Sequence, residues 1–266
     1  MLNEHVGLLR HRTRRILQTP RVFANWPTLL REMAAGSGRV DALTFVTRDG
    51  LQISCPNVPG ARVPVYEVFA ENCYRLDTFL GPLLREPLAV IDIGGHVGAF
   101  ACQLAALAPQ ARLQCFEPSP ISAGFLRRNV SANGFADRVQ VRELAVAARV
   151  GQSVLADNGG GSALNALVDS GDGLSVETTT FDSIVGDLPR GADVVKIDCE
   201  GAEYDLVFGS APESWDSVRR VVLEYHPHRE HSWPELRRWF AERGLAVTAE
   251  QAENADQGTA WLARLG

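Results

Sequence analysis

Residues 90–100 read VIDIGGHVGAF, and this short stretch determines how the rest of the chain is interpreted. An apolar run ends at Asp92, glycines follow at positions 94, 95 and 98, and small residues continue the chain. The pattern is typical of the first strand–turn–helix unit of a doubly wound sheet, where ligands bind at the carboxyl ends of the strands. The turn therefore predicts a ligand site.

The segments after Pro87 alternate between strand-like and helix-like patterns, which predicts an α/β fold with a mainly parallel sheet. The last two strand-like segments are joined by a short connection and can pair as an antiparallel hairpin. We predict a doubly wound, mainly parallel seven-stranded sheet that ends in this hairpin. The strand-like segments are LAVIDIG, ARLQCFEPSP, RVQVRELAV, a stretch near SVETTTF, DVVKIDCEG, RRVVLEYHP, LAVTAEQ and TAWLARL.

The N-terminal part shows a different pattern. Residues 1–36 predict two short helices that break near Thr19-Pro20, because proline interrupts helical hydrogen bonding. Two strand-like runs joined by Asp49-Gly50 predict a hairpin. Residues 66–86 predict a helix that breaks near Gly81-Pro82.

These patterns divide the chain into two parts. We predict an N-terminal cap of helices and a hairpin over residues 1–85, and a ligand-binding domain over residues 86–266. The glycine-rich segment 158–173 predicts a loop. We expect the cap and this loop to shape the pocket for a second ligand.

Composition narrows the class of protein. The chain has 266 residues, 45% of them hydrophobic, and a formal net charge of −6, which disfavours bulk binding to nucleic acid or to a membrane. No apolar run approaches the roughly 18 residues that span a bilayer, and the N-terminus predicts no signal peptide. Five scattered cysteines without a C-x-x-C pair are typical of cytosolic thiols, so we expect a cytoplasmic protein.

Two common ligands fit the glycine turn poorly. A dinucleotide fingerprint aligned to end at Gly98 places Ile93 where the first glycine belongs, and Asp92 would repel a pyrophosphate. The P-loop pattern is absent. S-adenosylmethionine fits better, because Asp92 suits its ammonium group and the helix N-terminus can receive its carboxylate. Gly94 and Gly98 would permit close approach of ligand and helix. An NAD-dependent dehydrogenase remains the alternative.

Glu117 ends the next strand, in QCFEPSP, 25 residues after Asp92. A carboxylate at this position can accept hydrogen bonds from both ribose hydroxyls, and this feature is shared by S-adenosylmethionine and NAD sites. We therefore expect Glu117 to bind the nucleoside of either cofactor.

A second group of charged residues lies in VVKIDCEGAE, residues 194–203. Lys196 and Asp198 share one face of the predicted strand, since side chains alternate along it. Buried parallel strands are normally continuous apolar runs, so two charges are costly there unless they pair or serve a site. A structural Lys–Asp pair is one interpretation. We favour a functional site and include Lys196, Asp198 and Glu200 among the candidate catalytic residues.

The next strand ends in LEYHP, which places Glu224 and His226 on one face at the ligand side. His226 is our first candidate for a general base and Asp198 or Glu200 the second, because imidazole titrates near neutrality. A histidine here could also simply hydrogen-bond to a loop. Together with Glu203 these residues could hold a hard divalent cation, but no spacing motif supports one and we expect no metal.

Taken together, the motifs resemble those of the FkbM family of S-adenosylmethionine-dependent methyltransferases. VIDIGGHVGAF, the glutamate of QCFEPSP, NVSANG, VVKIDCEGAEYDLVFG and LEYHP occur in that order. KIDCEGAE looks like the family's K-x-D-x-E-G-x-E signature. The resemblance covers residues 65–227, and the tail is similar to class I methyltransferases in general.

The resemblance implies roles for individual residues. Asp92, Gly94 and Gly98 would bind the methionine end of the cofactor, Glu117 its ribose, and Asp198 would lie near the methyl group. Further cofactor contacts are expected from Gly95, His96 and Pro118 in the same turns, and from Glu71 and Tyr74 in a stretch that caps the cofactor in relatives.

The turn departs from the family at one position. The family's turn often reads G-A-N-I-G, whereas this chain has G-G-H-V-G, with His96 in place of the asparagine. We expect the imidazole to change a hydrogen bond to the cofactor or to the acceptor.

The family usually methylates hydroxyl groups on sugars or natural-product scaffolds, and some relatives methylate nitrogen. The resemblance therefore implies in-line O-methylation of a small-molecule acceptor. N-methylation of an amino sugar or another amine is the enzymatic alternative. A non-catalytic nucleotide-binding protein with this fold is the alternative from another class, and the sequence does not predict an oligomeric state.

Overall fold

The computed structural model describes residues 14–36, 39–58, 60–156, 166–168 (backbone only) and 173–265. The strands are β1 (Ala42–Val46), β2 (Gln52–Pro56), β3 (Ala89–Ile93), β4 (Arg112–Phe116), β5 (Val139–Arg142), β6 (Ala145–Val146), β7 (Gly151–Ala156), β8 (Ala166–Val168), β9 (Leu174–Thr179), β10 (Val194–Ile197), β11 (Arg220–Tyr225), β12 (Leu245–Ala252) and β13 (Gly258–Arg264). The helices are α1 (residues 14–22), α2 (Trp26–Ala35), α3 (Val63–Phe69), α4 (Leu76–Leu80), α5 (Ala99–Leu107), α6 (Pro120–Ala132), α7 (Phe181–Gly186), α8 (Glu203–Phe208) and α9 (Trp233–Ala241). Short 3₁₀ helices cover Gly81–Arg85 and Pro212–Trp215. Within these described ranges, no helix has the length and apolar character needed to span a bilayer.

Seven strands form the central sheet, in the order β12-β13-β11-β10-β3-β4-β5. Strands β11, β10, β3, β4 and β5 are parallel, whereas β13 runs antiparallel to both β11 and β12. The predicted seven-stranded, mainly parallel sheet with a terminal antiparallel hairpin is confirmed. The strand order reverses between β3 and β10, so the carboxyl ends of these strands flank the crevice in which such folds bind ligands.

Two apolar clusters cover the faces of the central sheet. Because side chains alternate along a strand, Ile91 and Val195 pack against α7, α8 and α9 on one face. Val90 and Val194 pack on the other face, against α5, α6 and the N-terminal elements. The cluster around Val90 and Val194 contains residues from both sides of position 85, so the N-terminal part shares a core with the central sheet. The predicted domain boundary at residue 85 stays a prediction.

The N-terminal part contains the predicted hairpin, since β1 and β2 pair antiparallel around the turn at Asp49-Gly50. The predicted break near Thr19-Pro20 is wrong, because α1 continues to residue 22. Residues 1–13 of the predicted first helix lie outside the described residues. Phe23 follows α1 and is fully buried against the rings of Phe45 and Tyr66, and this packing outweighs the one hydrogen bond that the proline cannot donate.

The predicted continuous helix before Gly81-Pro82 is also wrong, although the break at that pair is confirmed. Irregular residues 70–75 separate α3 from α4. Asn72 and Arg75 have φ angles of 50° and 48°, which a right-handed helix cannot contain. Trp261 Nε1 donates a hydrogen bond of 2.9 Å to the carbonyl of Tyr74, which fixes this irregular stretch against the central sheet.

A second, four-stranded sheet in the order β6-β9-β7-β8 was not predicted. RVQVRELAV divides into β5 in the central sheet and β6 in the second, and the SVETTTF stretch forms β9 there. Strand β8 lies inside the predicted loop 158–173, while residues 158–165 and 169–172 lie outside the described residues. A small cluster of Ala145, Leu155 and Val176 is the sheet's own buried core, too few apolar positions for a clear sequence pattern.

Two asparagines of α6 attach the N-terminal hairpin to the rest of the molecule. The buried Asn129 side chain accepts a hydrogen bond from Ser54 N (2.8 Å) and donates to the carbonyls of Ser54 (2.8 Å) and Val97 (2.7 Å). One turn later, Asn133 accepts from Gln52 N (2.9 Å) and donates to Gln52 O (2.8 Å). The two amides thus pair with β2 as a neighbouring strand would, and Asn129 joins it to the glycine turn.

Replacing Asn129 by alanine leaves three buried backbone groups without partners. We expect the free energy of unfolding to fall by about 3 kcal/mol, because each orphaned group costs about 1–3 kcal/mol. Ser131→Ala, on the exposed side of the same helix, should stay within about 0.5 kcal/mol of the wild type. Urea unfolding measures both, and equal stabilities of the two variants would contradict the anchoring role of Asn129.

Candidate active site

A cavity of about 300 Å³ opens at the carboxyl ends of β3, β4, β10 and β11. Its lining residues come from these strand ends, from the N-terminal part, from the second sheet and from the β12–β13 hairpin. They are Ile93, Gly94, His96, Phe116, Glu117, Pro118, Asp198, Cys199, Glu200, Glu224 and His226; Val63, Pro64, Glu67, Val68 and Tyr74; Leu144, Ala145, Val146 and Leu155; and Glu253 and Gln257. The predicted site residues outside this lining are Glu71, Asp92, Gly95, Gly98 and Lys196.

Lys196 connects the ends of β3 and β10 beneath the cavity. Its neighbour on β3 is Asp92, and Nζ lies 3.4 Å from both Asp92 Oδ1 and Asp198 Oδ2. Nζ also donates to the carbonyls of Gly94 (2.6 Å) and Ile93 (3.3 Å). Burial lowers the pKa of Lys196, but the charges of Asp198 and Asp92 outweigh burial and raise it. The ion pair between Lys196 and Asp198 is therefore present, and it positions the Asp198 carboxylate in the cavity wall.

Asp92 lies behind the cavity wall. It is fully buried, and neither of its carboxylate oxygens has a hydrogen-bond partner within the described part of the chain. Burial raises its pKa, while the charge of Lys196 opposes that shift. Lys196 offsets part of this charge, and the remainder can stabilise a positively charged group in the cavity from behind the wall, as it would the ammonium of S-adenosylmethionine.

The glycines of the turn allow parts of the chain to touch. Gly94 has a φ of 78°, and a Cβ there would lie 1.8 Å from the carbonyl oxygen of Asp198. A Cβ on Gly95 or Gly98 would lie 2.7 or 3.0 Å from the side chain of Leu126 on α6. Gly94 thus lets the two strand ends meet, and the other two let α6 pack against the turn.

His96 has a left-handed backbone conformation, with φ 46°. Asparagine tolerates this conformation better than most residues, which explains its frequent use in the related turn. Both ring nitrogens of His96 are buried without a hydrogen-bond partner among the described residues, and the ring lines the cavity. Burial lowers the pKa of His96 to about 4, so a neutral imidazole with one donor and one acceptor is available to a ligand.

Glu117 is held in the cavity wall by two backbone groups. Its Oε2 accepts from His96 N and its Oε1 from Ser119 N, both at 2.8 Å. Burial raises the pKa of Glu117 to about 7 against the opposing effect of these bonds. Each oxygen keeps a further lone pair, so the carboxylate, beside Pro118, fits a ribose with two adjacent hydroxyls.

Tyr74 reaches the cavity from the irregular stretch between α3 and α4. Its hydroxyl donates a hydrogen bond of 3.1 Å to Asp198 Oδ2, and its ring packs edge-to-face on Phe100. Glu71 does not line the cavity, whereas Glu67 of α3 does. The resemblance pointed to Glu71, and no motif marked Glu67; because the helix ends at Phe69, Glu71 no longer lies one turn beyond Glu67 on the same face.

His226 is held in position by Glu203, a residue whose only predicted role was as a possible metal ligand. Glu203 is fully buried, accepts from backbone N–H groups of the turn after β10, and lies 3.0 Å from His226 Nδ1. Burial lowers the pKa of His226, but the hydrogen bond and charge of Glu203 and the charges of Glu200 and Asp198 raise it to about 9. In neutral solution the ring therefore carries a proton, which it must lose before it can act as a base.

Glu224 lies in the wall between Asp198 and His226. One donor atom from each of these three residues lies within 4.8 Å of the other two. Within the described ranges, no hydrogen bond or ion pair engages the Glu224 carboxylate. Burial and the charge of Asp198 raise the pKa of Glu224 to about 8. Of the five residues that the sequence suggested as possible metal ligands, Asp198, Glu224 and His226 therefore have donor atoms close enough to share one ion.

No sequence motif marks the far wall of the cavity. Glu253 and Gln257 belong to the turn of the β12–β13 hairpin and carry no motif. Their position follows from the pairing of Tyr225 with Gly258, which brings that turn beside the carboxyl end of β11.

Comparisons with known proteins match this arrangement. The family model described as the methyltransferase FkbM domain matches residues 92–245, more than half of the chain. Methyltransferase sdnD of Sordaria araneosa is 26% identical over 221 residues, which cover 70% of this chain and 83% of the relative. The 2-O-methyltransferase NoeI of Sinorhizobium fredii is 31% identical over 163 residues, which cover 54% and 65%. The structure of M. jannaschii TYW2 in complex with AdoMet has a TM-score of 0.46 at 14% identity, covering 85% of this chain and 87% of that chain.

The reversed strand order, the glycine turn and the acidic residues at the ends of β3 and β4 define a class I S-adenosylmethionine-dependent methyltransferase fold. The chain belongs to the FkbM methyltransferase family. The family match runs from Asp92 to Leu245, so it contains the turns after β3, β4 and β10 that line the cavity, whereas the β12–β13 turn lies outside it. The resemblance seen in the motifs is confirmed.

Replacing Gly94 by alanine would force the ends of β3 and β10 apart. Overpacking costs about 1–3 kcal/mol, so we expect the affinity for S-adenosylhomocysteine to fall by about 10- to 100-fold in calorimetry. Gly124→Ala is the matched control, because a Cβ on that exposed residue of α6 meets no atom within 4 Å. Unchanged affinity in Gly94→Ala would refute the need for contact between the two strand ends.

Proposed function

We propose that the protein transfers the methyl group of S-adenosylmethionine to a hydroxyl group of a small molecule, such as a sugar or a natural-product scaffold. The observation that carries this proposal is the division of the cavity on either side of Asp198. One side contains Glu117 and His96, which suit the cofactor, and the other contains Glu224 and His226, which suit an acceptor. The relative named 2-O-methyltransferase NoeI supports an oxygen acceptor.

In this proposal the chain holds the cofactor at both ends. Glu117 accepts hydrogen bonds from the ribose, and the neutral ring of His96 meets a polar group of the methionine end. The negative charges of Asp92 and Asp198 stabilise the ammonium group. When bound, S-adenosylmethionine supplies a methyl group attached to a positively charged sulfur.

The acceptor hydroxyl then meets side chains that are already oriented. Tyr74 and Lys196 fix Asp198, and Glu203 fixes His226, so little orientation is left to be achieved during the reaction. The hydroxyl must lose its proton, and the polar side chains of this wall, His226 and Glu224 among them, are available to pass it to solvent.

N-methylation of an amine is the second candidate function, because a wall with Glu67, Glu224 and Glu253 also attracts an ammonium group. The same carboxylates oppose it chemically. An amine must lose its proton before it can accept a methyl group, and nearby negative charge keeps the amine protonated. The carboxylates oppose loss of a proton from a hydroxyl as well, so the oxygen acceptor is favoured here by the relative NoeI and not by the charge of the wall.

Calorimetry tests the cofactor. We expect S-adenosylmethionine to bind and NAD not to bind. Glu117→Ala should weaken binding by about 10- to 100-fold, because hydrogen bonds to a charged group contribute about 1.5–3 kcal/mol. Glu143→Ala, which removes a half-exposed carboxylate paired with Arg127, should bind normally. Failure of the wild type to bind S-adenosylmethionine would reject the proposed enzyme.

Steady-state kinetics tests the acceptor side, after a screen of hydroxylated and aminated compounds for S-adenosylhomocysteine formation. His226→Ala should lower kcat by about 100-fold or more while cofactor affinity stays near the wild-type value. His228→Ala is the control, since the ring of His228 packs at a tilt against Tyr204 outside the cavity lining. A kcat within a few-fold of the wild type in His226→Ala would exclude His226 from the reaction.

A further inference from the structure

We propose that Asp198, Glu224 and His226 bind a divalent cation, and that this cation holds an acceptor with two adjacent oxygens. The inference rests on the proposed function and names the substrate class of the same cavity. It departs from the sequence-based expectation that no metal is needed. Three observations carry it: the spacing of free donor atoms, the support of His226, and the excess of carboxyl groups in the wall.

The three side chains present donor atoms that the protein leaves free. Oδ2 of Asp198 is taken by Tyr74 and Lys196, which leaves Oδ1, and both oxygens of Glu224 are free among the described residues. A donor atom from each of Asp198, Glu224 and His226 lies within 4.8 Å of the others. Ligand bonds of about 2.0–2.6 Å keep the ligands of one cation within about 5 Å of each other, so the site needs little rearrangement.

His226 has the support that metal-binding histidines commonly have. A carboxylate on one ring nitrogen fixes the ring and directs the other nitrogen to the ion. Here the buried Glu203, itself held by backbone N–H groups, engages Nδ1 at 3.0 Å. Nε2 has no hydrogen bond in the described structure, and the nearest recorded carboxylate oxygen, on Glu200, is 3.7 Å away. Glu203 lies outside the three ligands, so this support is a separate observation.

The cavity wall is rich in carboxyl groups, and its protonated side chain, His226, is already engaged by Glu203. Glu67, Glu224 and Glu253 line it with Asp198, and no lysine or arginine of the described residues does. Lys196 is engaged behind the wall by Asp92 and Asp198. Glu224 is thus a largely buried carboxyl group without a hydrogen bond or ion pair of its own among the described residues, and its ionised form is costly there unless a ligand provides a cation.

A cation at this position would also change how the acceptor loses its proton. Three protein ligands leave up to three positions of an octahedral ion, and two adjacent oxygens of the acceptor can occupy two of them. Coordination lowers the pKa of the bound hydroxyl, so that its proton can pass directly to water. His226 would then act as a ligand through Nε2 in its neutral form: the proton of that nitrogen passes to solvent as the ion binds, Nδ1–H stays with Glu203, and the ring is not needed as a base.

Titration with Mn²⁺ tests the site without relying on activity. The full chain is stripped with EDTA, saturated with S-adenosylhomocysteine and titrated while free Mn²⁺ is followed by electron paramagnetic resonance. We expect one ion per chain, with affinity at least about tenfold weaker in Glu224→Gln. Glu253→Gln removes a carboxylate from the same wall outside the three ligands, and it should bind Mn²⁺ like the wild type. Binding of S-adenosylhomocysteine by each variant shows that it is folded.

The outcomes separate this inference from the proposed function. No Mn²⁺ binding by the wild type, or equal losses in Glu224→Gln and Glu253→Gln, would overturn the cation site. Methylation of a vicinal diol that stops in EDTA and resumes with Mg²⁺ or Mn²⁺ would support it. Methylation that continues after complete chelation would overturn the cation site and leave the proposed function standing, whereas absence of S-adenosylmethionine binding would reject the function itself.

Discussion

The ammonium group of Lys196 is the interaction on which the cavity depends. It neutralises part of the charge of Asp92 and Asp198, and it binds the carbonyl of Gly94, so one side chain sets the distance between the two central strand ends. Lys196 is the only lysine in a chain with 26 basic residues, the others being arginines. A guanidinium needs a planar arrangement of acceptors, whereas a compact ammonium fits among two carboxylates and two carbonyls. The chain thus uses arginine as its basic residue elsewhere but has a lysine at this position, where the geometry of the site requires a compact ammonium group.

The parts of the site that sequence predicted are those built from local pattern. Asp92, Glu117 and Asp198 end neighbouring parallel strands. The carboxyl ends of parallel strands lie at the same edge of a doubly wound sheet, whatever the positions of the helices that connect them. The alternation that placed Lys196 beside Asp198 depends only on the period of a strand. The sequence also showed that His96 differs from the asparagine common in the related turn, but it did not predict the left-handed backbone conformation of this residue.

The remaining parts depend on distant contacts and on burial. The Glu253 turn enters the cavity only because β13 pairs with β11, and the second sheet depends on pairings across residues that carry few apolar positions. A contact between separate elements also altered the chemistry assigned to His226. Its ordinary pKa suggested a neutral base, but Glu203 beside it favours the protonated ring. No sequence spacing reveals such a partner, because Glu203 lies on a different element of the fold.

The bonds of Asn129 also bear on how this fold can be recombined. The asparagine touches the backbone of β2 and the carbonyl of Val97 in the cofactor turn, so its one amide belongs to both parts of the chain. An N-terminal segment grafted from a relative would therefore have to place the edge of a strand opposite Asn129 of α6, where the backbone of Ser54 lies in this chain. A graft chosen only for its lining of the cavity would disturb the glycine turn as well, which limits how independently the N-terminal part and that turn can be exchanged.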